Sequence, residues 1–262
     1  MNKRKSPIEK EWAIQNKREQ YYLKKHSENK DSKLNLLLKD KVPESLQQTL
    51  DKAFFKAFQT IFTKGTGIIE KTYKRSELEE DYRINEYASS IKHDRKSLLT
   101  FSENAKSSER KNLLLSGVSG IGLGVLGIGI PDIVIFTGLI LKNIYEISLN
   151  YGFDYDSENE KRFILLLIEG SLSSGGDLNT INEEINHYIE FESFAHAGDI
   201  NSCIESTSDR LSKELLYMKF LQGIPIVGAV GGTYDVVYMN RITKYAELKY
   251  RRRFYRKQLN QP

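Results

Sequence analysis

The sequence predicts an all-α fold, a single helical domain, and three observations carry that prediction. Apolar residues recur at helical spacing, as in Leu46, Leu50, Ala53, Phe54, Ala57, Phe58 and Ile61. No stretch alternates apolar and polar residues with a period of two between hairpin-type turn dipeptides. Two segments, Leu113–Leu141 and Ile224–Met239, are apolar and rich in glycine, and are expected to pack on each other as a central helical pair.

The elements follow in chain order. From Ile8 to Ser27 a polar helix carries Trp12, Tyr21 and Tyr22, and Asn29–Ser32 reads as a loop. Pro43, suited to a first helical turn, opens a second helix that Gly65-Thr66-Gly67 should break. Ser76-x-x-Glu79 and Ser157-x-x-Glu160 have capping-box spacing and mark two further starts. The small residues between Gly170 and Gly176 read as a loop, after which Ile181, Ile185, Tyr188 and Ile189 restore helical spacing. Ala195–Asp199 reads as a turn, and Leu211, Leu215, Leu216 and Leu221 lie on a last helix before Gly223-Ile224-Pro225.

Leu113–Leu141 is the unusual stretch, because Asp132 is its only ionisable residue and six glycines precede Pro131. Gly117, Gly120, Gly124 and Gly127 are among them, and Gly120-x-x-x-Gly124 is a spacing that lets helix backbones approach closely. Glycine weakens a helix by about 0.8–1 kcal/mol relative to alanine, so close packing or lipid has to compensate. The length approaches the roughly 20 apolar residues that a bilayer core requires, but Pro131 and Asp132 interrupt it. Ile224–Met239 resembles it, with Pro225, Gly228, Gly232 and a single acid, Asp235.

Composition sets the class. The 262 residues are 28% charged and 39% hydrophobic, ordinary for a folded chain. Net charge is +4, with basic residues gathered near both ends. A lone Cys203 excludes an intrachain disulfide and fits a reducing compartment. The charged stretch after Lys3-Arg4-Lys5 lacks the apolar run of an export signal, so the expected location is the cytoplasm, at the inner face of the cell membrane. The expected organisation is a basic tail at 1–11, a helical domain at 12–257 and a short tail at 258–262.

Several motifs together resemble the EcsC protein family: Ile130-Pro131-Asp132 after a glycine-rich run, Tyr151-Gly152-Phe153-Asp154, and Ile224-Pro225-Ile226-Val227-Gly228-Ala229 ahead of a basic helix. The similarity extends from about Trp12 to about Tyr255. It implies a bacterial protein with a membrane association, in a family named for its place beside an ABC transporter linked to protein secretion. The resemblance assigns no biochemical activity.

Most catalytic chemistry is excluded by context. Gly122-x-Gly124-x-x-Gly127 matches a dinucleotide fingerprint in letters, yet no strand precedes it and glycines continue on both sides. The histidines His26, His93, His187 and His196 lack metal-ligand spacing, and no metal or cofactor is expected. Asp154, Asp156 and Glu158 start like a calcium loop, but Asn159 and Leu165 stand where glycine and glutamate belong, so helix capping is the expected role. Asp132 and Asp235 are the catalytic candidates, because a carboxylate in an apolar segment must cap a helix, find a partner or line a polar pocket.

Arg251, Arg252, Arg253, Arg256 and Lys257 follow an apolar segment and are expected to attract anionic lipid, whereas a nucleic-acid partner is disfavoured. The opposing reading has this helix packing inward through Tyr238, Ile242, Tyr245 and Leu248. The leading expectation is a membrane-associated helical protein binding lipid or a membrane partner, with homo-oligomerisation open. The alternatives are a hydrolase-like enzyme with a pocket at Asp132 and Asp235, and a soluble scaffold.

Overall fold

A computed structural model describes residues 5–27, 44–92, 94–107, 130–196, 198–221 and 234–260. Among the described residues the chain is helical and contains no strand. The helices are α1 (Pro7–Lys25), α2 (Glu44–Thr60), α3 (Thr66–Glu70), α4 (Arg75–Lys92), α5 (Ile130–Asn150), α6 (Glu158–Leu172), α7 (Gly175–Phe191), α8 (Ile200–Leu221) and α9 (Tyr234–Leu259). Residues 95–107 are also helical.

Local chemistry explains the starts. At α1 the Ser6 side chain accepts from the Glu9 N–H while Glu9 accepts from the Ser6 N–H, with Pro7 in the first turn. The helix therefore begins inside the stretch expected as a tail, and Glu11 is already buried. At α6 only half of the expected box forms: Ser157 accepts from the Glu160 N–H, but the Glu160 carboxylate turns away to Tyr250 and Arg253.

Three sequence expectations are corrected. Gly65-Thr66-Gly67 does not break the second helix, because a π-helical turn at Ile61–Gly65 carries it into α3 and buried Ile61 and Ile69 hold both sides. Ser76 does not start its helix: Arg75 is already helical and donates to Glu79 from Nε. The loop expected between Gly170 and Gly176 shrinks to Ser173-Ser174, with Gly170 inside α6. A Cβ on Gly170 would come within 3.0 Å of both Ile181 and Tyr245, so glycine there permits the close approach of α6 to α7 and α9.

Pair contacts fix the directions. α1 and α6 both run antiparallel to α9: Gln15 bonds Arg251, Glu19 bonds Lys249 and the Tyr22 ring packs tilted against Tyr245, while Glu160 meets Arg253 and Arg241 reaches the Ser173 carbonyl. α8 runs alongside α6, with Glu169 near Ser206 and the Leu165 carbonyl near Thr207, while Arg210 reaches Asp177 of α7 and the Glu214 carbonyl accepts from Tyr238 at the start of α9. Phe54 of α2 touches Phe136 of α5, and Asp51 touches Ser212 of α8. Tyr151, just past α5, reaches Glu247 and Phe254. Thus α5 and α9 run parallel through the core, where Ile140, Leu141, Ile144, Tyr145, Ile242, Tyr245, Ala246 and Tyr250 are fully buried.

Candidate functional site

That arrangement gives the bundle two distinct ends. The starts of α5 and α9 and the close of α8 share one end, which we call the glycine end because glycine-rich sequence precedes both α5 and α9. Its described rim carries exposed apolar residues, Val134 and Ile135 on α5 and Val237 on α9. Gly117, Gly120, Gly124, Gly127, Pro225, Gly228 and Gly232 lie outside the described residues. Pro131 and Asp132 fall in the first turn of α5 and Asp235 in the first turn of α9, and their side chains are likewise outside the description.

The basic carboxyl-terminal residues occupy the other half of α9 and meet protein carboxylates. Arg251 lies 3.0 Å from Glu247 and bonds Gln15 and Ser102. Arg252 pairs with Glu19 at 3.0 Å and lies over the Trp12 ring. Arg253 pairs with Glu160 at 2.7 Å among the rings of Phe153, Phe163 and Tyr188. Arg256 pairs with Glu190, and Lys257 lies 3.9 Å from Glu86. From Tyr234 to Arg251 an α-helix rises about 25 Å, so these cations stand well away from the glycine end. The inward face holds Tyr238, Ile242, Tyr245 and Leu248, all buried.

Sequence reasoning missed a buried polar cluster on the same helix. The Lys249 ammonium is fully buried and donates to Glu19 at 2.7 Å, to Asn186 at 2.9 Å and to Asn182. Burial alone would raise the Glu19 carboxyl, but Lys249 and Arg252 hold it down at about 2. Burial dominates at Lys249, lowering its ammonium to about 8 against the pull of Glu19. A signal was present: Lys249 is eleven residues beyond Tyr238, about three helical turns, and therefore shares the apolar face.

A second cluster surrounds the Tyr151–Asp154 motif. Arg75 pairs with Glu70, Glu79, Asp154 and Asp156 and lies over the Tyr155 ring, while Tyr155 donates to Glu70. The capping role expected for Asp154 and Asp156 is replaced by this pairing, since Ser157 caps α6.

Among the described residues no group of three or more His, Cys, Asp or Glu side chains could hold a metal ion. His26, His187 and His196 bond the Tyr22 carbonyl, the Ser193 carbonyl and Glu184 respectively. A groove of about 550 Å³ between α2 and α8 brings Asp51 and Asp209 beside Ser208. Burial pushes the Asp51 carboxyl up, and it accepts from Ser212.

The sequence matches the EcsC protein family over residues 8–254, nearly the whole chain. The chain belongs to that family. No curated protein and no solved structure matches it. The EcsC match takes in α1 through most of α9, including both glycine-rich segments and the Glu19–Lys249 cluster.

Proposed function

We propose that this EcsC-family protein is membrane-associated and meets lipid or a membrane partner with its glycine end. The observation that carries the reading is the convergence of the starts of α5 and α9 and the close of α8, each adjoining an apolar glycine-rich sequence, beside exposed Val134, Ile135 and Val237. An apolar rim continuous with two apolar, glycine-rich segments suits a lipid-facing surface.

The reading is narrower than a transmembrane span. Ile133–Asn150 is long and apolar enough to cross a bilayer, with a mean hydropathy of 1.3, but 78% of that window is buried in the bundle. A helix so enclosed serves as a core, leaving membrane contact to the segments that precede α5 and α9. The basic residues of α9 are not part of the proposal, because Arg251, Arg253 and Arg256 pair with Glu247, Glu160 and Glu190, Arg252 shares Glu19 with Lys249, and Lys257 lies near Glu86.

Flotation of the full chain with vesicles of neutral lipid, and of neutral lipid mixed with anionic lipid, tests the proposal. Flotation that is weakened by Val134→Ser, Ile135→Ser and Val237→Ser together supports it. Absence of flotation with either vesicle contradicts it.

A further inference from the structure

The stripe that α1 buries is polar. Glu11, Gln15 and Glu19 share one face and are its buried side chains, whereas each apolar residue of the helix, including Ile8, Trp12, Tyr22 and Leu23, keeps part of its surface in water. The hold on α9 runs through amides and charges. Gln15 donates to the Leu248 carbonyl and accepts from Arg251, Glu19 accepts from Lys249 and Arg252, and Asn16 accepts from Arg252. Glu11 pairs with Arg95, but its Oε2 is buried with no hydrogen-bond partner among the described residues. Trading such bonds for bonds to water is nearly balanced, so a polar seam seats a helix less firmly than the apolar faces that hold α5 and α6.

The two ends of α1 differ. A cavity of about 370 Å³ lies beside Ser6, Pro7 and Ile8, with Leu98, Phe101 and Gln258 on its other walls, so the first turn borders unfilled space. At the far end the Tyr22 ring packs against both His26 and Tyr245, and the His26 carbonyl accepts from the Gly175 N–H at 2.9 Å. We propose that α1 is a strap that lifts from the bundle as one unit, turning about Tyr22–His26 while the other helices stay folded. Lifting carries Glu19 away and uncovers the Lys249 ammonium and the Arg252 guanidinium, which share that carboxylate when α1 is seated. The movement is separate from the glycine end, because α1 meets α9 between Tyr245 and Arg252.

Segment-resolved hydrogen exchange of the full chain reads the movement, together with acylation of Lys249 by an amine-directed reagent. Amides of Trp12–Lys24 are expected to exchange in concert, roughly a hundredfold faster than those of Phe163–Ile168 in α6, and Lys249 should be acylated at the pace of α1. Glu11→Leu, which replaces the half-satisfied carboxylate with an apolar group of similar size, should slow both readouts roughly threefold and leave α6 unaltered. Glu19→Gln should quicken both roughly tenfold, again without change in α6. One common exchange rate for α1 and α6 overturns the proposal, as does acylation of Lys249 at the pace of α6. So does a Glu19→Gln variant in which α1 and α6 quicken equally. If Glu19→Gln fails to fold, the parent chain and Glu11→Leu decide the question, and a Glu11→Leu variant that exchanges α1 no more slowly than the parent counts against the strap.

Discussion

The Lys249 ammonium, fully enclosed in the bundle, lies 2.7 Å from a Glu19 carboxylate that is itself buried. This contact joins α1 to α9, while Asn182 and Asn186 bring in α7. Removing one member of such a pair strands a buried charge, whereas replacing both with apolar or neutral groups of similar volume can be nearly neutral. Lys249→Met leaves Glu19 with Arg252, so it should lower stability by less than the about 3–5 kcal/mol of a fully stranded charge, and adding Glu19→Gln should not recover the loss because Arg252 then lacks its carboxylate. Chemical denaturation of the two single variants and the double variant measures the coupling.

Acid should weaken the same contact. The folded state holds the Glu19 carboxyl at about 2 against an ordinary 4.5, so it binds a proton less readily than the unfolded chain. Its stabilising contribution is complete above 4.5 and is lost as pH falls toward about 2. Stability of the parent should drop more steeply over that interval than stability of Glu19→Gln, as read by denaturant midpoints at a series of pH values.

Gly152 sits at a φ of +75°, and a Cβ there would fall 2.1 Å from the Tyr82 ring. Left-handed backbone costs other residues about 1–3 kcal/mol, and the ring would have to move in addition. Gly152→Ala should lower the melting temperature more than Gly176→Ala, where a Cβ meets nothing within 4 Å. Thermal unfolding of the two variants side by side gives the comparison.

Arg253 is held by Glu160 and three aromatic rings, so it serves the fold. Arg253→Met leaves the Glu160 carboxylate buried without its partner and should cost about 3–5 kcal/mol. The fraction that remains folded should float with anionic vesicles as the parent does. A selective loss of anionic-vesicle binding at parental stability would return this residue to a headgroup role.

Helix identity was legible wherever one apolar face was needed, and α2 and α7 appear where Leu50–Phe58 and Ile181–Ile189 place them. Ends were less legible, because glycine and serine act through tertiary contacts: Gly170 stays helical to admit Ile181 and Tyr245, and Gly65 is carried by a π turn. The run Arg251–Arg253 misleads for a related reason. Its charges look free along the chain, yet the acids of Arg253 and Arg252 lie more than 90 residues away on α6 and more than 230 away on α1, and only Glu247, the partner of Arg251, is local. Local sequence holds no trace of the distant pairings. The apolar inward spacing of α9 was visible, whereas the enclosure of Lys249 on the same face was missed.

The central claim is that the glycine end meets the membrane and the end bearing Lys257 does not. A polarity-sensitive fluorophore placed at Val134 or Val237, in a chain whose Cys203 is replaced by alanine, tests this most directly when compared with the same label at Lys257. On adding vesicles the account predicts a blue shift at Val134 and Val237 with quenching by lipid-borne quenchers, and no change at Lys257. Unchanged emission at Val134 and Val237, or a shift confined to Lys257, would contradict it.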